Sequence, residues 1–291
     1  MEPISASAAS KIILAGEHFV VNGCPAIALP LPNCRLSVQI SPTTNPPTHP
    51  PLIHAALEIC QKHLGGPGTS LHLHIHSQIP QAFGMGSSAA LSVAIPRAYS
   101  QLVQKPLSTS QILKISMEIE QIAHGTASGI DSTTITYEQP LYFLKNQPPQ
   151  FLQPAPGIAL AILSSQTPSK TKQMVNAVQN FRRQHPHTYN QLLQQAKTCV
   201  EQTKNALLKG DPNTLAQWTN HNQNLLQQIG VHTPKTQQLI QLALQCGALG
   251  AKTSGGGGGG IVLAITSPPK LSHLCQQLQK YHIPILSTLS T

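Results

Sequence analysis

The chain has 291 residues, 40% of them hydrophobic, which suffices for one or two domains with proper cores and excludes wholesale disorder. Its net charge is +9, from 18 Lys and Arg against 9 Asp and Glu, but no basic cluster stands out and aromatics are only 4%, so small anionic substrates fit better than nucleic acid. No apolar run is long enough to span a bilayer, and six scattered cysteines without a CxxC pair fit reduced, buried thiols rather than a disulfide frame or metal centre.

In chain order, "KIILAGEH" (residues 11–18) and "PAIALPL" (25–31) predict strands joined through a turn at Asn22-Gly23, and "RLSVQI" (35–40) a third strand. Glu17 and His18 interrupt the first apolar stretch and no small-residue cleavage pattern follows, so a cytoplasmic protein without a secretory leader is expected. "SPTTNPPTHPP" (41–51) reads as a proline-rich loop, because fixed φ and missing donors prevent regular structure. A helix fits "LIHAALEICQKHL" (52–64), stopped by Gly65-Gly66. "SLHLHIHSQIP" alternates with period two and aligns His72, His74 and His76 on one face. Such a row suits a metal or, more plainly, the solvated side of a strand.

The stretch "PQAFGMGSSAA" (80–90) leads from glycines into a small-residue helix over 87–103, which Pro96 should kink or end. "STSQILKISMEIEQIAHG" predicts a capped helix closing at Gly125. A domain boundary is expected near residues 154–156, giving domains over 1–155 and 156–291. "GIALAILSSQ" is then a strand, followed by glutamine-rich helices over 171–210 and 212–230. The C-terminal part reads helix, glycine loop, strand "IVLAI", helix "KLSHLCQQLQKY", strand "PILSTL".

Three stretches carry chemistry. "GMGSS" allows close approach of backbone to a polyanion, and the free N–H groups of a helix start bind phosphate; Ser87 and Ser88 add hydroxyls for phosphate oxygen or a divalent cation. The same pattern also serves as a plain helix cap. In "EQIAHGTASGIDS" (120–132), Glu120 and His124 share one helix face, and the chain then turns to present Asp131. That supplies one carboxylate suited to Mg²⁺ and a second suited to proton abstraction, in a chain poor in acids. In "GALGAKTSGGGGGGIVLAI", the glycine run is bounded by a small-residue turn and a strand, so a backbone passing close to a ligand explains it better than a linker.

These motifs, in this order, resemble those of the GHMP small-molecule kinases: "KIILAGEHFVVNGCPAIA", "PQAFGMGSSAA" and "GALGAKTSGGGGGG". "HGTASGID" is similar to the signature of the branch acting on mevalonate, and "SQTPSKTKQMV" and "NQNLLQQIGVHTPKTQQLI" extend the likeness over nearly the whole chain. The resemblance implies an α/β (α+β) fold of two domains, the second ferredoxin-like, with the site in the cleft between them. It implies ATP-dependent phosphorylation of the primary hydroxyl of mevalonate, with Mg²⁺ as cofactor, small-molecule partners only and a possible homodimer.

Carried over by position, the resemblance implies Asp131 as the base and Lys11 beside it. Gly84, Met85, Gly86, Ser87 and Ser88 match the phosphate cradle, and Ser88 and Glu120 the metal ligands. Glu17, His18, His124, Ser128, Thr171, Gly255, Gly256 and Gly257 match the substrate side. Departures at Ala9-Ser10, Ala82, Phe83, Met85 and Pro96 leave every charged residue of the chemistry in place. Alternatives are a sister kinase for phosphomevalonate, homoserine or a sugar, and a ligand sensor on the same fold. "HGTASGID" speaks against the first, and the retained Lys11, Glu120 and Asp131 against the second.

Overall fold

A computed structural model describes residues 3–45, 47–125 and 128–291; for Ala123 and His124 it describes the backbone only. The chain forms two units that interleave in sequence: Met1–Lys11, Pro30–Pro80 and Gly86–Gln139 make the first, and Ile12–Leu29, Gln81–Met85 and Pro140–Thr291 the second. Strand β1 (Ile4–Ala15) and strand β2 (Ala26–Pro42) therefore each begin in one unit and end in the other.

β1 starts seven residues before the expected strand, because "ISASAAS" has strand geometry without the bulk that marks a strand in sequence. It ends at Gly16, whose φ of +94° turns the chain sharply, so Glu17 and His18 lie beyond the strand. A short 3₁₀ helix at Val20–Asn22 takes the place of a simple Asn-Gly turn. The two expected strands over 25–31 and 35–40 are one, β2. Pro30 and Pro32 lie between its stretch paired with β4 (Leu141–Phe143) and its stretch paired with β3 (Leu71–Ser77), so these two prolines take no donor from either of those ladders.

In the first unit, β3 runs antiparallel to β2 from Leu36↔Ser77 to Pro42↔Leu71. His72, His74 and His76 are exposed, and no cluster of three potential metal-binding His, Cys, Asp or Glu side chains exists among the described residues. Helices α1 (Pro51–Leu64), α2 (Ser87–Leu102), α3 (Thr109–His124) and α4 (Ile130–Tyr137) pack on one another. α2 buries Ala89, Ala90, Val93, Ala94 and Ala98, small side chains that admit close helix neighbours. Pro96 is buried inside α2, which runs on to Leu102 rather than ending there. A capping box between Ser108 and Gln111 opens α3, as its sequence requires.

In the second unit, β4 pairs with β2 and with β5 (Gln150–Phe151). A separate antiparallel sheet has the order β7-β8-β6-β9, with β6 at Ala159–Ser164, β7 at Gly250–Ser254, β8 at Ile261–Thr266 and β9 at Ile285–Ser290. β7 is a strand where a small-residue turn was expected. The expected helix over 171–210 divides at His185 into α5 (Thr171–Gln184) and α6 (Pro186–Lys209), followed by α7 (Pro212–Gln228), α8 (Pro234–Gln245) and α9 (Pro268–Lys280). The break falls there because proline is well placed at a helix start and disfavours helix in the residue before it.

The core of this unit joins Leu163, Val262 and Ala264 of the sheet to Leu239, Ala243, Leu274 and Leu278 of α8 and α9. β7 lies at a sheet edge, and α7 covers that edge with side chains. Asn220 accepts from the amide of Ala251 at 3.0 Å, and Gln223 from that of Thr253 at 2.9 Å. Edge amides that would otherwise stay unpaired are satisfied by a helix. Five cysteines are buried and Cys275 half-buried, all as free thiols. Among the described residues no helix is long and apolar enough to cross a membrane.

Candidate active site

The predicted residues form two groups, one in each unit. In the first unit, β1 supplies Lys11, α2 begins with Ser87 and Ser88, α3 carries Glu120, and Asp131 lies in the first turn of α4. The Lys11 ammonium is 2.9 Å from Asp131 Oδ1; the lysine side chain is 2% exposed and the aspartate 40%. A buried cation is thus held by a carboxylate that solvent, and therefore a substrate, can reach. Gly129 caps α4 with φ +88°, and the helix dipole favours the negative side chain of Asp131 at that end.

Gly86 precedes α2 with φ +78°. A Cβ there would stand 2.8 Å from Ile135 Cδ1 and 3.1 Å from Lys11 Cε, so the end of the glycine loop lies directly on the lysine stem. In the first turn of α2, Ser88 Oγ donates a hydrogen bond to Glu120 Oε1, and Ser92 Oγ, one turn on, donates to the same oxygen at 3.0 Å. Glu120 is 6% exposed. Ser92 was not anticipated; its signal is the i, i+4 spacing from Ser88, which puts both hydroxyls on one helix face. Ser128 Oγ accepts weakly from the Ile130 amide at 3.4 Å, in the turn leading to Asp131. The side chain of His124 lies outside the described residues.

In the second unit, Gly84 approaches the glycine run closely. A Cβ on Gly255 would be 2.9 Å from the Gly84 carbonyl oxygen, and one on Gly256 would be 2.1 Å from Thr171 Oγ1. Only backbone without a side chain fits between these strands of chain. Ser169 ties the same region together, its amide donating to the Ala82 carbonyl at 2.6 Å and its hydroxyl to the Gly257 carbonyl at 2.7 Å. Met85 is buried. Ala82 adopts φ +62°, so this departure from the resembled motif holds a left-handed conformation without glycine.

Glu17 and His18 belong to the same unit. Glu17 is paired with Lys252 of β7 and accepts from Asn222 Nδ2 of α7 at 3.0 Å. Lys252 and Asn222 were not singled out in the sequence, where a lysine before a glycine run and an asparagine in a polar helix carry no signal. Burial, the dominant influence, makes the His18 imidazole less basic than usual; Glu17 and a hydrogen bond to the Gly256 backbone oppose this, and Lys252 adds to it.

The oxygen set of the first unit suits Mg²⁺: one carboxylate and serine hydroxyls, with the remaining positions open to phosphate and water. The two acids also differ in setting. Glu120 is enclosed among hydroxyls, and Asp131 is half open beside a cation. Such an arrangement can hold a metal–polyphosphate with the first and move a proton with the second.

Residues 51–139 match the family described as GHMP kinases N terminal domain, and residues 203–283 match GHMP kinases C terminal. A mevalonate kinase of Thermococcus gammatolerans is 32% identical, covering 93% of this chain and 91% of its own. A mevalonate kinase of Aeropyrum pernix is 29% identical over 89% and 87%. The crystal structure of L. major mevalonate kinase in complex with R-mevalonate superposes with a TM-score of 0.81 at 29% identity, covering 95% of this chain and 91% of that one.

Proposed function

The chain belongs to the mevalonate kinases of the GHMP kinase family, and from that premise we infer that it transfers the γ-phosphoryl group of ATP to the primary hydroxyl of mevalonate. The products are 5-phosphomevalonate and ADP, a step of the mevalonate route to isoprenoids. The observation that carries the assignment of roles is the 2.9 Å pair of Lys11 with a half-exposed Asp131.

On this reading the Asp131 carboxylate accepts the proton of the mevalonate hydroxyl as its oxygen attacks the γ-phosphorus and the bond to the ADP oxygen breaks. Lys11 orients that carboxylate, and its charge stabilises the oxygen that loses the proton. The backbone of Gly84, Met85, Gly86 and Ser87, together with the start of α2, cradles the phosphates through N–H groups and the helix dipole. Ser88 and Glu120 would hold Mg²⁺, which neutralises charge on the phosphoryl oxygens when bound with ATP. Charge compensation is thus distributed, which explains a phosphate loop without a lysine of its own. Glu17, His18, Ser128 and Thr171, with Gly255, Gly256 and Gly257, serve substrate binding. The excess of positive charge assists by attracting two anionic substrates.

A coupled ADP-release assay over mevalonate, phosphomevalonate, homoserine and galactose tests the assignment. Turnover with mevalonate well above the other alcohols is expected. Turnover of another alcohol without mevalonate activity overturns it.

A further inference from the structure

Helix α4 carries Asp131 in its first turn, yet little in its own sequence holds it in place. Five of its eight residues are β-branched, and a helix this short does not persist without tertiary support. The chain is left-handed on both sides of it, at Gly129 (φ +88°) and at Glu138 (φ +50°). A non-glycine residue keeps that conformation only where its surroundings hold it.

Two arginines hold Glu138. Arg35 of β2 meets the carboxylate with both terminal nitrogens, at 2.8 and 3.0 Å, and donates from Nε to Ser7 Oγ of β1 at 3.1 Å. That fork alone neutralises the charge. Arg97 of α2 adds one bond to Glu138 at 2.8 Å and directs two others to main-chain carbonyls. These are Ser7 of β1 at 2.7 Å and Thr136, in the last turn of α4, at 2.8 Å. α4 has no basic residue of its own in that turn, so Arg97 also supplies the cation that a helix C-terminus favours. Its side chain is a bridge between two elements more than a second counter-ion.

The bridge lies opposite the chemistry along the same two elements. Lys11 follows Ser7 by four residues on β1, about 13 Å of strand, and Asp131 precedes Glu138 by seven residues, about 10 Å along the helix. α4 thus runs beside β1 in the opposite direction and is fastened to it twice. The 2.9 Å pair of Asp131 with Lys11 holds its start, and Arg97 holds its end. A short rod held at one point can swing; held at two, its line is set.

We propose that Arg97 is a positioning residue for the phosphoryl transfer: by fastening the far end of α4 to β1 it fixes the axis of that helix, and so the direction in which Asp131 presents its carboxylate beside Lys11. The proposal rests on Asp131 being the proton acceptor, whereas the bridge itself does not.

The test compares wild-type protein with Arg97→Met, which keeps the stem, and Arg97→Lys, which keeps the charge but lacks the planar fork that reaches three acceptors. Glu138 retains Arg35 in both, so neither variant leaves its carboxylate unpaired. All are assayed well below their unfolding temperatures, where lost stability alone changes neither readout. In steady-state turnover both variants should lose roughly tenfold or more in kcat, since a displacement of about 1 Å can cost about 10²-fold, while the KM values for mevalonate and ATP stay within about twofold. In substrate-free, ¹⁵N-labelled protein, hydrogen exchange at the Lys11 ammonium, assigned by its loss in Lys11→Arg, should be faster in both variants than in the wild type. Wild-type kcat or unchanged Lys11 exchange in folded Arg97→Met overturns the proposal. So does wild-type behaviour of Arg97→Lys, which would show that charge suffices without the bridge. Should Arg97→Met not fold, Arg97→Lys carries both readouts with the same outcomes. Because the ammonium is read without substrate, a wild-type protein that turns over no mevalonate would sink the functional assignment and leave the exchange result to judge the bridge.

Discussion

Lys11 Nζ lies 2.9 Å from Asp131 Oδ1, joining a fully enclosed cation on a strand to a half-open carboxylate at a helix start. The asymmetry in exposure divides the work. On the roles proposed above, the lysine holds the carboxylate and the half-open aspartate meets the incoming hydroxyl.

Asp131→Asn keeps the shape and removes the proton acceptor. Its kcat should fall by roughly 10²-fold or more, the usual worth of a positioned base, with ATP binding largely intact. Near-normal turnover in steady-state kinetics would remove Asp131 from that role.

Glu120→Ala should act on metal use instead. The Mg²⁺ concentration for half-maximal activity should rise by roughly tenfold or more, and excess Mg²⁺ should restore part of the rate. Asp131→Asn should show no such recovery. Equal recovery in both variants would mean that the two acids do not have separate tasks.

Gly86→Ala tests the close approach of the glycine loop to Lys11. A methyl group at φ +78° costs about 1–2 kcal/mol in backbone strain alone, and its nearest neighbours would be Ile135 and the Lys11 stem. Thermal unfolding should show a lowered Tm. Because Lys11 must shift to make room, kcat should fall further than the stability loss explains. A variant that unfolds earlier but turns over normally would show that the loop does not set the lysine position.

Glu138 predicts a pH dependence of stability. Burial would raise the basicity of its carboxylate, but hydrogen bonds and charge from Arg35 and Arg97 outweigh that and hold its pKa below the usual carboxylate value. With the folded value depressed, the unfolded chain binds the proton more readily. The stabilisation is therefore complete above the ordinary glutamate range near 4.5 and is lost as pH falls from there through the folded value. Glu138→Gln should lower stability by about 1–2 kcal/mol near neutral pH and flatten the acid limb of a denaturation series. An acid limb unchanged from the wild type would contradict this.

Much of the first-unit arrangement was legible because it is local. "GMGSS" announces a loop entering a helix. Ser92, four residues after Ser88, was legible by helical spacing, but serine in an alanine-rich helix looks like filler. The joining of residues 25–31 and 35–40 into one strand was hidden by prolines, whose missing N–H groups matter only where a ladder needs them. The glutamine-rich helices carry no local motif in the sequence. In place, Asn220 and Gln223 of α7 close the edge of β7, and Asn222 holds Glu17.

The family motifs, the charge balance and the hydroxyls and carboxylates near the glycine loops can be read from the amino-acid order alone, since they follow from composition and short spacings. Which acid is enclosed and which is open, the pairing of Glu17 with Lys252, and the helix that seals the edge of β7 emerge only when the chain is folded. Burial and ion pairing between residues far apart in sequence depend on how the chain returns to itself, and local pattern carries no record of that return.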